Sequence, residues 1–543
     1  MRRALLLSLL GLLALPGCAS GPWARATPPG FMWPATEWSE EKRALHVLRR
    51  LAFGPSPRDW EEVRRVGATS WVERQLWPER IPDEALEHQL ATLPTVTLGM
   101  KALIERYPSL NEHARQLGIR LESQEDRARL TEMLGRDVLP DRMDQDVRTQ
   151  KLLRAVDSQR QLQEVLVDFW FNHFNVSADK GPVRWMVMSF ERDALRPHVF
   201  GRFRELLAAT AHHPAMLYYL DNWRSAGEAP VPGKGKKAST GLNENYAREL
   251  LELHTLGVDG GYSQQDVREV ARAFTGWTID QPERAPAFVF QPAMHDTGDK
   301  HVLGVALPAG GGQEDGERVL DMLARHPSTA RFIATKLARK FVSDAPPPAL
   351  VERLARVFLR TEGDLRAVYS ALFTSPEFWS DAALGAQTKT PLELVVSSVR
   401  ALGARTDGGP ALARLVERMG LNLYRAPAPT GFPEHAAPWV NTGALVQRIN
   451  FALQLAEGKV PGTHVEFPWG WTSPPANVAA LLDALAPRIL FEPLSAETHA
   501  TLLAALAPGE RDSMPDGEVR PLDIRDIRRA AGLLLGSPEF QMQ

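Results

Sequence analysis

The sequence predicts a mainly α protein: a multi-helical globular array with long ordered loops and at most a small strand element. Apolar residues recur at three- and four-residue spacing through most of the chain. Alternating runs of β-branched residues, which a half-buried sheet would need, are scarce. Helix-start residues stand where those periodic runs begin, as at Ser39, Ser56-Pro57 and Ser263.

The first element is not part of the fold. Arg2 and Arg3 precede an apolar run from Ala4 to Leu15, too short to span a bilayer. Residues 1–17 therefore read as a secretory signal. The run closes on Leu15-Pro16-Gly17-Cys18, which resembles a bacterial lipobox, and Cys18 is the only cysteine in 543 residues. Cys18 is the expected lipidation site and the expected link to a membrane. By resemblance to the sorting pattern, Ala19 after it points to an outer-membrane destination. Residues 18–38, rich in Pro and Gly, read as a tether.

The body, 39–541, opens with helical patterns at 40–50 and 59–77. Charged helices fill 81–160, a long helical stretch covers 145–176 with a break inside it, and 178–207 continues helical. Residues 224–241, with Gly, Pro and Lys, read as a mobile surface loop. A helix over 242–256 is stopped by Gly257, and Ser263 with Asp266 has capping-box spacing for a helix to about Trp277. Ala287 to Phe290 is the one good strand candidate. Helices are expected at 314–325, 327–342, 348–360, 363–374 and 390–403. The proline-rich stretch 422–441 reads as a long ordered loop. A helix at 442–457 follows, then an irregular segment at 458–476 and closing helices near 477–486, 495–507 and 523–535. Lobes at 39–223, 242–403 and 404–541 suit this pattern. Ser-Pro-Glu-Phe occurs twice, at 375–378 and 537–540, each time after an apolar helical run. Proline should end both helices, leaving the phenylalanine free to fold back.

The composition is 44% hydrophobic and 24% charged, with a formal net charge of −3. Those values suit a soluble globular body and argue against a nucleic-acid surface, which shows as a basic excess. One cysteine excludes an intramolecular disulfide.

Ionisable residues on apolar faces are the functional candidates. At about 100° per residue, Glu249 falls inside the arc formed by Leu242, Tyr246, Leu250, Leu253 and Leu256, and His254 sits at its edge. His173 lies in the apolar arc of the 145–176 stretch, while Glu164, Asp168 and Asn172 share its polar side. A buried carboxylate needs a partner. Glu249 is thus expected to be buried, partnered and close to His173, as an arginine-paired brace or as part of a site. Glu249, His173 and His254 are the catalytic candidates. His173, Glu249, Asp266, His295 and Asp296 are the candidates for a divalent metal, with His295 and Asp296 opening His-Asp-x-Gly-x-Lys. Trp170, Tyr218, Trp223 and Trp277 are the aromatics expected to line a cleft beneath the 224–241 loop.

Longer motifs then stand out. They include Phe169-Trp170-Phe171-Asn172-His173-Phe174 and the run Leu242-Asn243-Glu244-Asn245-Tyr246-Ala247-Arg248-Glu249-Leu250-Leu251-Glu252-Leu253-His254-Thr255-Leu256-Gly257. Others are Gly260-Gly261-Tyr262-Ser263-Gln264, Ala271-Arg272-Ala273-Phe274-Thr275-Gly276-Trp277, Asn441-Thr442-Gly443 and Gly536-Ser537-Pro538-Glu539-Phe540. Together they resemble the large bacterial family known as DUF1800, over about residues 40–541. The resemblance implies an exported protein, often found beside a sulfatase-like exported family, and brings no activity with it. Two functions stay open: a binding or scaffold lipoprotein of the cell envelope, and a metal-assisted hydrolase acting on an envelope polymer.

Overall fold

Helix starts set the architecture. Ser39 accepts a hydrogen bond from Lys42 N and opens the helix Glu40–Leu51, whose inner face buries Leu45, Val47, Leu48 and Leu51. The computed structural model describes residues 32–227, 241–467, 475–506 and 522–543. Cys18, the signal and most of the tether lie outside the described residues. The tether's last residues do not hang free: Trp33 and Trp38 pack edge-on against Trp379, and Trp38 donates to Asp381 (2.8 Å).

The array is mainly helical, as expected. The long stretch breaks at Ser158, giving helices Pro140–Asp157 and Gln161–His173. Pro327–Phe341 packs along Pro348–Arg360, and Thr442–Ala456 along Ile524–Leu535. The last pair approaches so closely that a Cβ on Gly532 would lie 2.9 Å from Leu453 Cδ2. Strand content is small but larger than the one expected segment. Trp277–Asp280 pairs antiparallel with Ala287–Phe290, Lys300–Val302 with Val305–Leu307, and Arg405–Thr406 with Thr463–His464. The helix expected to reach Trp277 ends at Ala273, because Gly276 turns at φ 81° and Trp277 begins a strand.

One buried apolar cluster runs from Trp38 to Phe540, through all three expected lobes. Ion pairs cross it: Arg400 binds the Asp59 carboxylate and donates to Gly54 O (3.0 Å) and Val156 O (2.5 Å). The repeated Ser-Pro-Glu-Phe ends behave alike. Phe378 N and Phe540 N each donate back to the serine hydroxyl, and both rings are buried. Residues 228–240 of the expected surface loop lie outside the described residues. Its ends are drawn together by Ala226 N donating to Gly241 O (3.1 Å). Among the described residues no helix is long and apolar enough to cross a membrane.

Candidate functional site

His173, at the end of Gln161–His173, is 2% exposed. Its Nε2 lies 3.1 Å from the backbone oxygen of His254, so Nε2 carries the proton and Nδ1 is left an acceptor. Nδ1 has no partner among the described residues, and neither does His254 Nε2. The two rings are 6.3 Å apart, among Trp170, Phe174 and Phe332. Burial, then the Lys336 charge, keeps both imidazoles neutral, with His254 pushed down to about 3.

Glu249 departs from expectation. The segment expected as one α-helix is α only over Asn245–Glu249 and then widens to a π-helix at Leu250–Thr255, where Leu256 N donates to Leu251 O. An i→i+5 turn rotates each residue less than an α turn does, so the 100° wheel loses register after Leu250. The Glu249 carboxylate is half-buried, with no hydrogen bond or ion pair among the described residues. Burial, and then Glu252, raise its pKa. The charges acting on the buried His173 are Lys336 and His254.

The remaining metal candidates are occupied by protein donors. Asp266 caps its own helix through Ser263 and accepts from Leu303 N (2.7 Å). Asp296 takes a two-point contact from Arg272 (3.1 and 2.9 Å). His295 Nδ1 is 2.8 Å from Thr275 O, and its Nε2 is 3.2 Å from Asp315, a carboxylate that also accepts from the fully buried Lys300 (2.9 Å). Lys300 donates further to Asp296 O and Gly298 O, so His-Asp-x-Gly-x-Lys ties its own loop to the helix Glu314–Ala324. Among the described residues no group of three or more His, Cys, Asp or Glu is placed to hold a metal. Two of the four aromatics expected to line a cleft beneath the 224–241 loop are turned into the core. Trp170 and Trp277 are fully buried, and only Tyr218 and Trp223 stack in a partly exposed position.

A cavity of about 100 Å³ lies on the other side of Gln161–His173. Its floor holds Lys151 with Asp168 and Lys340 with Glu393, and Glu191 lies behind Lys151. Lys151 contacts Asp168 (2.8 Å) and Glu191 (3.5 Å), and Lys340 contacts Glu393 (2.5 Å). Burial alone would lower both ammonium groups, but the carboxylates reverse this and raise them. Burial would likewise raise Glu191 and Glu393, yet their cations hold both at about 2. These charges are therefore fixed across the physiological range.

The roof is the proline-rich loop 422–441. Asn172 clamps it twice, donating to Phe432 O (2.9 Å) and accepting from Phe432 N (2.7 Å), while Asn175 donates to Ala428 O (2.8 Å). Gly431 makes this approach possible: its φ is 73°, and a Cβ there would stand 2.5 Å from Asn172 Oδ1. Asp344 holds the roof from the far side, accepting from Ala436 N (3.1 Å). The rim reaches solvent at Pro433 and His435.

The family model for proteins of unknown function, DUF1800, matches residues 46–542. The chain belongs to that family. No curated protein and no solved structure matches it. The DUF1800-like motifs quoted from the sequence now have places. Phe169 to Phe174 supplies one cavity wall and the roof clamp, the 242–257 run forms the α-to-π passage, and Asn441 caps Thr442–Ala456. Lys151, Lys340, Asp344 and Glu393 were not among the sequence candidates. A usable signal was present at Glu164, Asp168 and Asn172. They form a polar stripe on Gln161–His173 in which Glu164 and Asp168 face cations and Asn172 pairs with the Phe432 backbone.

Proposed function

We propose that this protein is an exported, lipid-anchored envelope protein that works by binding, holding a terminal or pendant group of an envelope polymer in the cavity under the 422–441 loop. The observation that carries the reading is the cavity itself: a roofed space whose lysines are fixed by their own carboxylates. Such a surface is preorganised for recognition, because little reorders when a ligand enters. A volume of about 100 Å³ suits a group of a few heavy atoms rather than a whole polymer unit. Export and anchoring rest on Arg2, Arg3, the apolar run and Cys18.

Ala436 lies in the roof with partial exposure, so Ala436→Trp should fill the cavity without cutting an ionic contact. Soluble protein lacking residues 1–31 should retain a small ligand from an envelope extract in native mass spectrometry, and Ala436→Trp should not. Equal retention by both places the ligand elsewhere. For the anchor, Cys18→Ser should move the full chain from the membrane pellet to the soluble fraction. Unchanged membrane fractionation sinks that part.

A hydrolytic alternative draws on one observation, the half-buried Glu249 carboxylate with its raised pKa, which suits a general base or a metal ligand. Metal analysis of the purified protein tests it: a stoichiometric divalent ion lost in Glu249→Gln supports it.

A further inference from the structure

The charges of the cavity wall do not cancel one another. Lys151 is matched by Asp168 and Glu191, and Glu191 is shared with Arg196 (3.5 Å). Lys340 is matched by Glu393, and Glu434 in the roof is matched by Lys336 (2.7 Å) from behind. Asp344 remains. Its carboxylate lines the cavity, accepts only the Ala436 amide and forms no ion pair among the described residues. Two cations lie near it without pairing with its carboxylate: Arg339 Nε donates to the Asp344 backbone oxygen (3.3 Å), and Arg50, a residue 3% exposed, points at Gln387, Val342 O and Ala383 O. Gln387 stands between it and the cavity, being both an Arg50 acceptor and a lining residue.

The walls around this carboxylate are aromatic. Phe169, Phe171, Tyr424, Phe432 and Trp439 all line the space. The Lys151 ammonium already lies 5.5 Å from the Phe171 ring and 5.2 Å from Tyr424, so these faces accept a cation. Phe432 and Trp439, 6.4 Å apart in the roof, have no cation of their own among the described residues. A carboxylate without a counter-ion beside free aromatic faces, in a cavity sized for a few heavy atoms, is complementary to an organic ammonium group. An anion would meet lysines whose charges are already satisfied.

We propose that the cavity selects a primary ammonium group, held between Asp344 and the aromatic roof. The polymer unit bound would then carry a free amine, as an amino sugar or a diamino-acid side chain does. This inference rests on the binding reading above.

Three four-carbon probes separate the possibilities: n-butylammonium, n-butanol and n-butyrate, each titrated by ligand-observed NMR into the soluble chain. Wild type should prefer butylammonium over the other two by on the order of tenfold. Asp344→Asn keeps an oxygen for the Ala436 amide, so its melting curve should stay close to wild type. It should erase the preference while leaving butanol unchanged. Tightest binding of butyrate overturns the proposal in favour of an anion site at the lysines. Equal binding of butanol and butylammonium overturns it in favour of an apolar hole, and a preference that survives Asp344→Asn overturns the assigned residue. If no probe binds while extract ligand is still retained, the ammonium class fails and the binding reading stands. If both tests are blank, both fall.

Discussion

Phe190–Leu195 and Leu250–Thr255 use the same backbone device and put it to opposite ends. Each widens a helix by one residue per turn, which moves a side chain off the face an α-helix would give it. In the first, Glu191 is turned into a set of ready partners. It accepts from Gln150 (3.0 Å) and the Tyr424 hydroxyl (2.8 Å), and faces Lys151 and Arg196 (both 3.5 Å). In the second, His254 is turned among aromatic rings, where its Nε2 and the Nδ1 of His173 have no hydrogen-bond partner among the described residues and the acting charge is the like-signed Lys336. The register change therefore does not decide what a π turn does. The neighbouring elements decide, by supplying a partner or leaving one out.

The largest expected effect breaks the satisfied turn. Arg196→Ala removes the two-point contact with Glu164 (2.6 and 3.0 Å) and a charge from Glu191. A buried carboxylate is left short of its cation, so stability should fall by about 3–5 kcal/mol in urea unfolding. A loss below about 1 kcal/mol would show that this turn, like the other, stands on apolar packing.

Acid should expose the unsatisfied turn next. Burial lowers His254 and His46 to about 3 and His213 to about 4, and lowers His173 well below its usual value. Between these values and about 6.5 the unfolded chain binds protons that the folded one refuses, so stability drops as pH falls. Taking pH from 7 to 5 should cost about 1–2 kcal/mol per buried imidazole. The paired carboxylates Glu191 and Glu393, at about 2, contribute stability that is lost only below their ordinary range near 4.5. Denaturation at stepped pH should therefore show an imidazole phase first and a carboxylate phase later. His254→Leu should flatten the first slope by about one proton. An unchanged slope would mean that His254 is already charged in the fold.

The smallest effect belongs to Glu249. Its raised pKa means that the fold disfavours its charge at neutral pH and gains from its protonation as pH falls. Glu249→Gln should hold stability within about 0.5 kcal/mol of wild type, on the favourable side, at pH 7. A clear loss would reveal a counter-ion and make the two turns more alike than they look.

The fold class was legible because caps and periodicity are local. Ser39, Ser56 and Ser263 all cap where expected. The π widening was not, since nothing in Leu250-Leu251-Glu252-Leu253 distinguishes an i→i+5 ladder from an i→i+4 one. It misplaced Glu249 while leaving His173 and His254 correctly inside. Ala287–Phe290 was legible as a strand, but its partner and the other two hairpins were missed because strands of two to four residues carry too short an alternation to read. The cavity lay hidden for another reason. Asp168 and Lys151 look like solvated charges when each helix is viewed alone, and only the packing of distant segments turns them inward.

That distance bears on the order in which the molecule is made. Asn172 grips Phe432 across 260 positions of chain, and the cavity wall runs from Lys151 to Gln543. A nascent chain holds the floor's lysine and aspartate long before their roof exists. Until the final helices arrive, that ionic floor stays wet and its neighbouring aromatic surface uncovered. Such long-range closure is slow, and it leaves a window for aggregation or chaperone capture. The cavity therefore closes only once the 422–441 loop and Gln543 have both docked on the Lys151 and Asp168 floor.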